Sequence, residues 1–152
     1  MTPRTGFTTD MQLCVALQRA ARAIVASYRP LLAEIGLTYS QYAVLLVLWE
    51  RDPAPMRLIA ERLDLDSATL SPLLKRLESR GLLVRQRRAD DERTVDVALT
   101  PAGRDLRAAA EAVQERVQRA TGLTDEALVG MRDDLNALTA RLHGAALQGA
   151  AL

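Results

Sequence analysis

Apolar positions along the chain alternate between helical and strand spacing. Cys14, Leu17, Ala21, Ile24 and Tyr28 recur every three to four residues, while Gln12, Arg19 and Arg22 face elsewhere. That stripe predicts a long amphipathic helix beginning at Asp10, which Pro30 kinks or ends. Thr38 with Gln41 makes a capping box. The segment from Tyr39 to about Glu50 is apolar on nearly every side, so it reads as a buried central helix. Pro53-Ala54-Pro55 stops it and leaves a short extended piece free to pair with later strands. Met56 to Leu63 is a further helix with Leu58, Ile59 and Leu63 inward. Asp66 or Ser67 caps the next, whose stripe is Leu70, Leu73, Leu74 and Leu77, and which ends at Arg80-Gly81. Leu82 and Val84, then Val95, Val97 and Leu99, alternate with polar or small residues, the period of a hairpin. Helix, turn, helix and hairpin in that order describe a winged helix-turn-helix.

Two helices follow. Thr100-Pro101 places a cap before a proline at the first helical position, and the helix runs to about Arg119. Thr124-Asp125-Glu126 opens another, with Leu128, Met131, Leu135, Leu138 and Leu142 on one face. The predicted fold class is mainly α with a small β wing, in a single domain over residues 1–152. The winged helix covers about 38–100, and dimerisation helices cover about 10–36 and 101–143. Helices this apolar at the edge of a small domain need a partner, and a second copy of the chain is the simplest one. Residues 1–9 read as a loose arm, and the Ala-rich tail from Gly144 as frayed. Pro72, inside the second helix of the motif, predicts a slight bend, because Leu73 to Leu77 keep the stripe in phase.

At 152 residues the chain is long enough for a real core, and its charged fraction of 26% is ordinary for a water-soluble protein. Met1 to Asp10 has no apolar core of a secretion signal, and the apolar run Tyr42 to Trp49 is too short to span a bilayer. The single cysteine excludes an intrachain disulfide. These features predict a cytoplasmic protein without membrane partners. One histidine and one cysteine are too few for a metal site, and no cofactor motif is present.

Charge narrows the reading. The chain carries only +1 overall, yet Lys75, Arg76, Arg80, Arg85, Arg87 and Arg88 face a single carboxylate, Glu78, between Pro72 and Arg88, a local net of +5. The second helix of the motif presents Ser67, Ala68, Thr69 and Ser71 early and Lys75 and Arg76 late. Short side chains near base edges and cations near phosphates suit a helix in the major groove of double-stranded DNA. The plainer reading is a solvated surface on an ordinary α+β domain; helix pattern, hairpin and charge together favour DNA.

These residues also carry a resemblance. Asp91-Glu92-Arg93, followed by Val95, Leu99-Thr100 and Gly103, is similar to the wing signature of the MarR-type transcriptional regulators. Leu13-Cys14, Tyr28-Arg29-Pro30-Leu31-Leu32, Leu37-Thr38-Tyr39, Gln41-Tyr42 and Leu65-Asp66-Ser67 to Glu78 resemble the OhrR branch, the organic hydroperoxide sensors. The likeness covers roughly residues 10–105 well and the C-terminal helices loosely; it departs from the branch at Gln18, Ser40 and Ala68. The resemblance implies that Asp91 steadies the wing and that Arg93 enters the minor groove, beside Arg87 and Arg88 on the same hairpin.

Cys14 holds the candidate chemistry. A lone cysteine on an apolar helical stripe is ordinarily a small core residue. Tyr28 shares the stripe, however, about 21 Å away along a helix, so the two meet only if two copies cross antiparallel near Ala21. A phenol hydrogen-bonded to a thiolate favours that form. The resemblance implies this arrangement, with Cys14 oxidised by organic hydroperoxides and bonded by Tyr28 and Tyr39 of the other subunit. With no second cysteine in the chain, a small-molecule thiol or a partner chain must trap a sulfenic acid, or oxidation proceeds. The expected function is a repressor that releases a pseudo-palindromic operator on oxidation. The alternative within the family is release by a phenolic or aromatic ligand, with Cys14 inert. A thiol peroxidase lacks any positioned Arg motif near Cys14, and a helical scaffold without DNA activity leaves the +5 cluster unexplained.

Overall fold

The computed structural model describes residues 8–149. A single 3-10 turn, Thr9–Met11, precedes α1 (Leu13–Glu34). Then come α2 (Tyr39–Glu50), β1 (Ala54–Pro55), α3 (Met56–Leu63), α4 (Ser67–Ser79), β2 (Leu83–Arg87), β3 (Val95–Leu99), α5 (Pro101–Ala120) and α6 (Asp125–Gly149). The three strands form one antiparallel sheet in the order β1-β3-β2. The short piece after Pro53 does pair with the hairpin, Ala54 opposite Val97.

The chain divides at Val117 into two compact units. In the first, α2 is the axis. Its capping box is formed as read, with Gln41 N donating to Thr38 Oγ1 and Thr38 N to Gln41 Oε1. Tyr42, Val44, Leu45, Val47 and Leu48 are all buried, and α1, α3, α4 and β3 pack around them. Leu70, Leu74 and Leu77 of α4 and Val97 and Leu99 of β3 complete this core. Each such side chain contributes about 1.5–3 kcal/mol through removal from water. The second unit, Gln118–Leu152, contains α6, entered through Thr124 Oγ1, which accepts from Ala127 N.

Four local expectations are corrected. The first helix begins at Leu13 rather than Asp10, because Gln12 is extended (φ −91°, ψ 117°) and breaks the register of the preceding turn. Pro30 does not end α1, which runs on to Glu34 with Leu32 buried. The inward face of β2 is Leu83 and Arg85, not Leu82 and Val84; Val84 is 40% exposed. Gly81 turns back at φ +70°, and Leu82 N bonds to Leu77 O, so Leu82 belongs to the helix cap and the strand starts one residue later. Helix α6 continues through the Ala-rich stretch to Gly149, since alanine is the best helix former. The expected arm falls largely on residues 1–7, outside the described residues.

A close approach fixes α5 against the turn that follows α4. Thr100 caps α5 at Gly103 N and donates its hydroxyl to Gly81 O. A Cβ on Gly103 would collide with the carbonyl oxygen of Leu82, a backbone atom that cannot step aside. Gly103→Ala is therefore expected to cost about 2 kcal/mol or more. Thermal unfolding checks this: a variant melting with the parent would mean that the α4–β2 turn yields.

Candidate nucleic-acid interface and thiol site

Asp66 starts α4 by accepting from Thr69 N at 2.7 Å. The Thr69 hydroxyl and amide together hold its carboxyl below the ordinary carboxylate value. Ser67, Ala68 and Thr69 are exposed in the first turn, Ser71 is half-buried, and Lys75 and Arg76 are exposed further along. The structure thus brings the α4 candidates onto one helix with its apolar stripe turned away, into the core.

The six cations of the basic segment are not equivalent. Arg85 chelates Glu78 through Nε at 3.0 Å and Nη2 at 2.8 Å, and its amide donates to the same carboxylate. The Arg85 side chain, the main cause, holds the Glu78 carboxyl below its usual range. Arg80 donates to Gln41 Oε1 at 3.3 Å. These two arginines fasten α4 to β2 and to α2. Arg88 lies 3.4 Å from both Asp90 and Asp96. Lys75, Arg76, Arg87 and Arg93 have side chains without a hydrogen-bond or ion-pair partner among the described residues. Lys75 and Arg76 on α4 and Arg87 and Arg93 on the hairpin are the cations left for a polyanion.

At the hairpin tip, Asp91 accepts from Arg93 N at 3.0 Å and from the Thr94 hydroxyl at 2.8 Å. Thr94 N donates to Asp91 O, and Arg88 N to Thr94 O. The Thr94 hydroxyl first, then the Arg93 amide, lower the Asp91 carboxyl. Asp91 therefore organises the tip that carries Arg93.

Cys14 is exposed in the first turn of α1. Its stripe is not covered: Leu13 is 61% and Ile24 43% exposed, and Ala21 lies open between them. Tyr28, Tyr39 and Tyr42 form a ring cluster at the other end, with centroids 5.5 Å (Tyr28–Tyr39), 5.4 Å (Tyr28–Tyr42) and 6.1 Å (Tyr39–Tyr42) apart. Burial raises the Tyr28 hydroxyl, while the Tyr42 hydroxyl beside it acts the other way and Tyr39 adds to the rise. Burial, then Tyr28, push Tyr42 up strongly. Within one chain the structure joins Tyr28 and Tyr39 but leaves Cys14 half a helix away. Tyr42 and Trp49 were not read as part of this site. The spacing Tyr39-Tyr42-Trp49, i, i+3 and i+10 on one side of α2, is the signal that could have found them.

A winged helix with a cationic recognition helix and hairpin defines a class, and the comparisons agree: the chain belongs to the MarR-type winged-helix transcriptional regulators. The family model for the transcriptional regulator SarA/Rot matches residues 26–109. Among relatives, the HTH-type transcriptional regulator TtmR of Methylorubrum extorquens is 44% identical over 90% of this chain and 70% of its own length. The organic hydroperoxide resistance transcriptional regulator of Bacillus subtilis is 37% identical over 88% of this chain and 91% of its own. Among solved structures, AbfR of Staphylococcus epidermidis superposes with a TM-score of 0.75 at 34% identity, over 87% of this chain and 92% of that one. AbfR has been seen bound to DNA both reduced and overoxidised. No single helix among the described residues is long and apolar enough to cross a membrane.

Asp91→Ala removes the acceptor of the Arg93 amide and the Thr94 hydroxyl, and is expected to speed amide exchange at Arg93 by about an order of magnitude. Global stability should change little, because the tip is exposed. In the parent the same bonds are complete above the ordinary carboxylate value, since the folded carboxyl is lowered, and they are lost as pH falls through that lowered value. Exchange measured against pH checks the sign; protection that grows on acidification would contradict it.

Proposed function

We propose that the chain is a homodimeric repressor that senses organic hydroperoxides at Cys14 and then releases its operator. The observation that carries this is the uncovered α1 stripe, with an exposed thiol at one end and a tyrosine cluster at the other. Two copies of α1 crossing antiparallel near Ala21 cover that stripe and set each Cys14 beside Tyr28 and Tyr39 of the partner subunit. The organic hydroperoxide resistance regulator of Bacillus subtilis, by its name, supports the choice of oxidant.

In the reduced dimer each α4 lies in a major groove of pseudo-palindromic double-stranded DNA. Ser67, Ala68, Thr69 and Ser71 stand near base edges, and Lys75 and Arg76 meet phosphates. Arg87 follows the backbone, Arg88 joins it by exchanging Asp90 and Asp96 for a phosphate, and the tip ordered by Asp91 puts Arg93 in the flanking minor groove. On exposure to peroxide, the Cys14 thiolate attacks the terminal peroxide oxygen and the O–O bond breaks. An alkoxide leaves and takes a proton from water, and the sulfur, two electrons poorer, becomes a sulfenic acid. Condensation with a small-molecule thiol then gives a mixed disulfide and water. Either product is bulkier and more polar than a thiol in a packed interface, so the tyrosine contacts fail and the two reading heads lose the half-site spacing. The peroxide is consumed once per thiol, as a signal in the cytoplasm rather than as a substrate turned over.

A second reading rests on a crevice of about 180 Å³ whose lining includes Tyr42, Leu46 and Trp49 together with Glu50, Arg107 and Glu111. It is a place for a phenolic or other aromatic ligand rather than for an acid, since Arg107 already pairs with Glu111. DNA-binding anisotropy at fixed salt separates the two. Parent protein is expected to lose about 10- to 1,000-fold in affinity on treatment with an organic hydroperoxide and to regain it with a reductant. Cys14→Ser is expected to bind DNA and ignore the peroxide. If Cys14→Ser still lets go on peroxide, the thiol is not the sensor; if only phenolic or other aromatic ligands cause release, the crevice is the effector site.

A further inference from the structure

The tyrosine cluster and the DNA-reading hairpin are joined by one side chain. Tyr42, buried in the cluster, lies against Trp49, two turns further along α2, with ring centroids 6.4 Å apart and planes tilted at 59°. Trp49 Nε1 donates to Gly103 O at 3.0 Å, a bond spanning 54 residues of sequence. Gly103 is the point at which α5 touches the backbone of Leu82, between α4 and β2. Leu82 O in turn accepts from Thr100 N at the end of β3, and Thr100 donates to Gly81 O at the end of α4. A shift of Trp49 therefore acts at the one junction where recognition helix, wing and α5 meet.

The surroundings allow such a shift in one direction. Trp49 is half-buried and borders the 180 Å³ crevice between α2 and α5, so its ring has room on that side. Arg107 Nη1 holds the Trp49 carbonyl from the far wall at 3.3 Å, so the backbone is anchored while the ring is tied to α5 through its N–H.

We propose that Trp49 is the positioning residue that carries movement of the tyrosine cluster to the α4–wing–α5 junction, through its bond to the Gly103 carbonyl. This rests on the thiol-sensor reading above. Trp49 touches neither DNA nor the thiol; it sets how far oxidation at one end changes DNA affinity at the other.

The test is Trp49→Phe, which keeps a ring against Tyr42 and removes the N–H. Cooperative unfolding confirms that the variant is folded. Cys14 oxidation rate, from intact-mass kinetics, and DNA affinity when reduced should stay within about threefold of the parent. The ratio of oxidised to reduced Kd should shrink by a factor of about 3 to 10, the size of one lost hydrogen bond. In the parent, Trp49 is the sole tryptophan, so acrylamide quenching of its fluorescence should change on oxidation of Cys14. If Trp49→Phe releases DNA as fully as the parent, the relay is wrong and the sensor reading stands. If the parent itself holds DNA after Cys14 is oxidised, the sensor reading fails and takes the relay with it. Should the variant not fold, the parent's quenching decides alone: no change on oxidation overturns the proposal.

Discussion

Burial of α2 on all but one side is the constraint that the reading head depends on. Twelve residues supply a helix with no polar face, and it is stable only when α1, α3, α4 and β3 all close around it. Its one buried polar side chain, Gln41, is satisfied by the Thr38 amide and the Arg80 guanidinium. Because α2 is held by four neighbouring elements, residues at its two ends become coupled to different parts of the fold. Tyr39 and Tyr42 face α1 at the N-terminal end, and Trp49 reaches α5 at the other. A rigid rod with a sensor at one end and the wing base at the other is an economical way to pass a displacement across a small domain.

The opposite condition holds on α1 and α6, where apolar side chains lie in water. Leu13, Ile24, Met131, Leu135 and Leu142 are each more than 40% exposed, far more than scattered surface residues require. In the proposed dimer these faces are covered by a second copy, and the thiol becomes reactive only in company with the other chain's tyrosines. Sensing is then a property of the interface, and a chemical change too small to disturb one chain suffices to misalign two.

Much of this was legible in sequence because local chemistry dictated it. The Thr38–Gln41 box, the Asp66 cap, Gly81 after α4 and the Thr100-Pro101 start each fixed a boundary close to where it lies. The phase of β2 was misread because Leu82 is apolar for a different reason, as part of the α4 cap. The start of α1 was misplaced because Asp10 looks like a cap but sits in a separate 3-10 turn. Within the candidate site, charge counting found the basic segment but not its internal economy. That Arg85 is spent on Glu78 and Arg80 on Gln41 depends on strand–helix packing, which no periodicity reports. Tyr42 and Trp49 escaped for a related reason: in a helix apolar all round, aromatic residues look like core whether or not they also form a connection.

The account turns on whether oxidation of one sulfur governs DNA binding. The most direct measurement follows both in one sample: stepwise addition of an organic hydroperoxide to the protein–DNA complex, with the fraction of Cys14 oxidised read by intact mass and the fraction of DNA bound read by anisotropy. The account predicts that bound DNA falls as oxidised Cys14 rises and returns when a thiol reductant restores the cysteine. DNA still fully bound with Cys14 fully converted to sulfenic acid or mixed disulfide would contradict it.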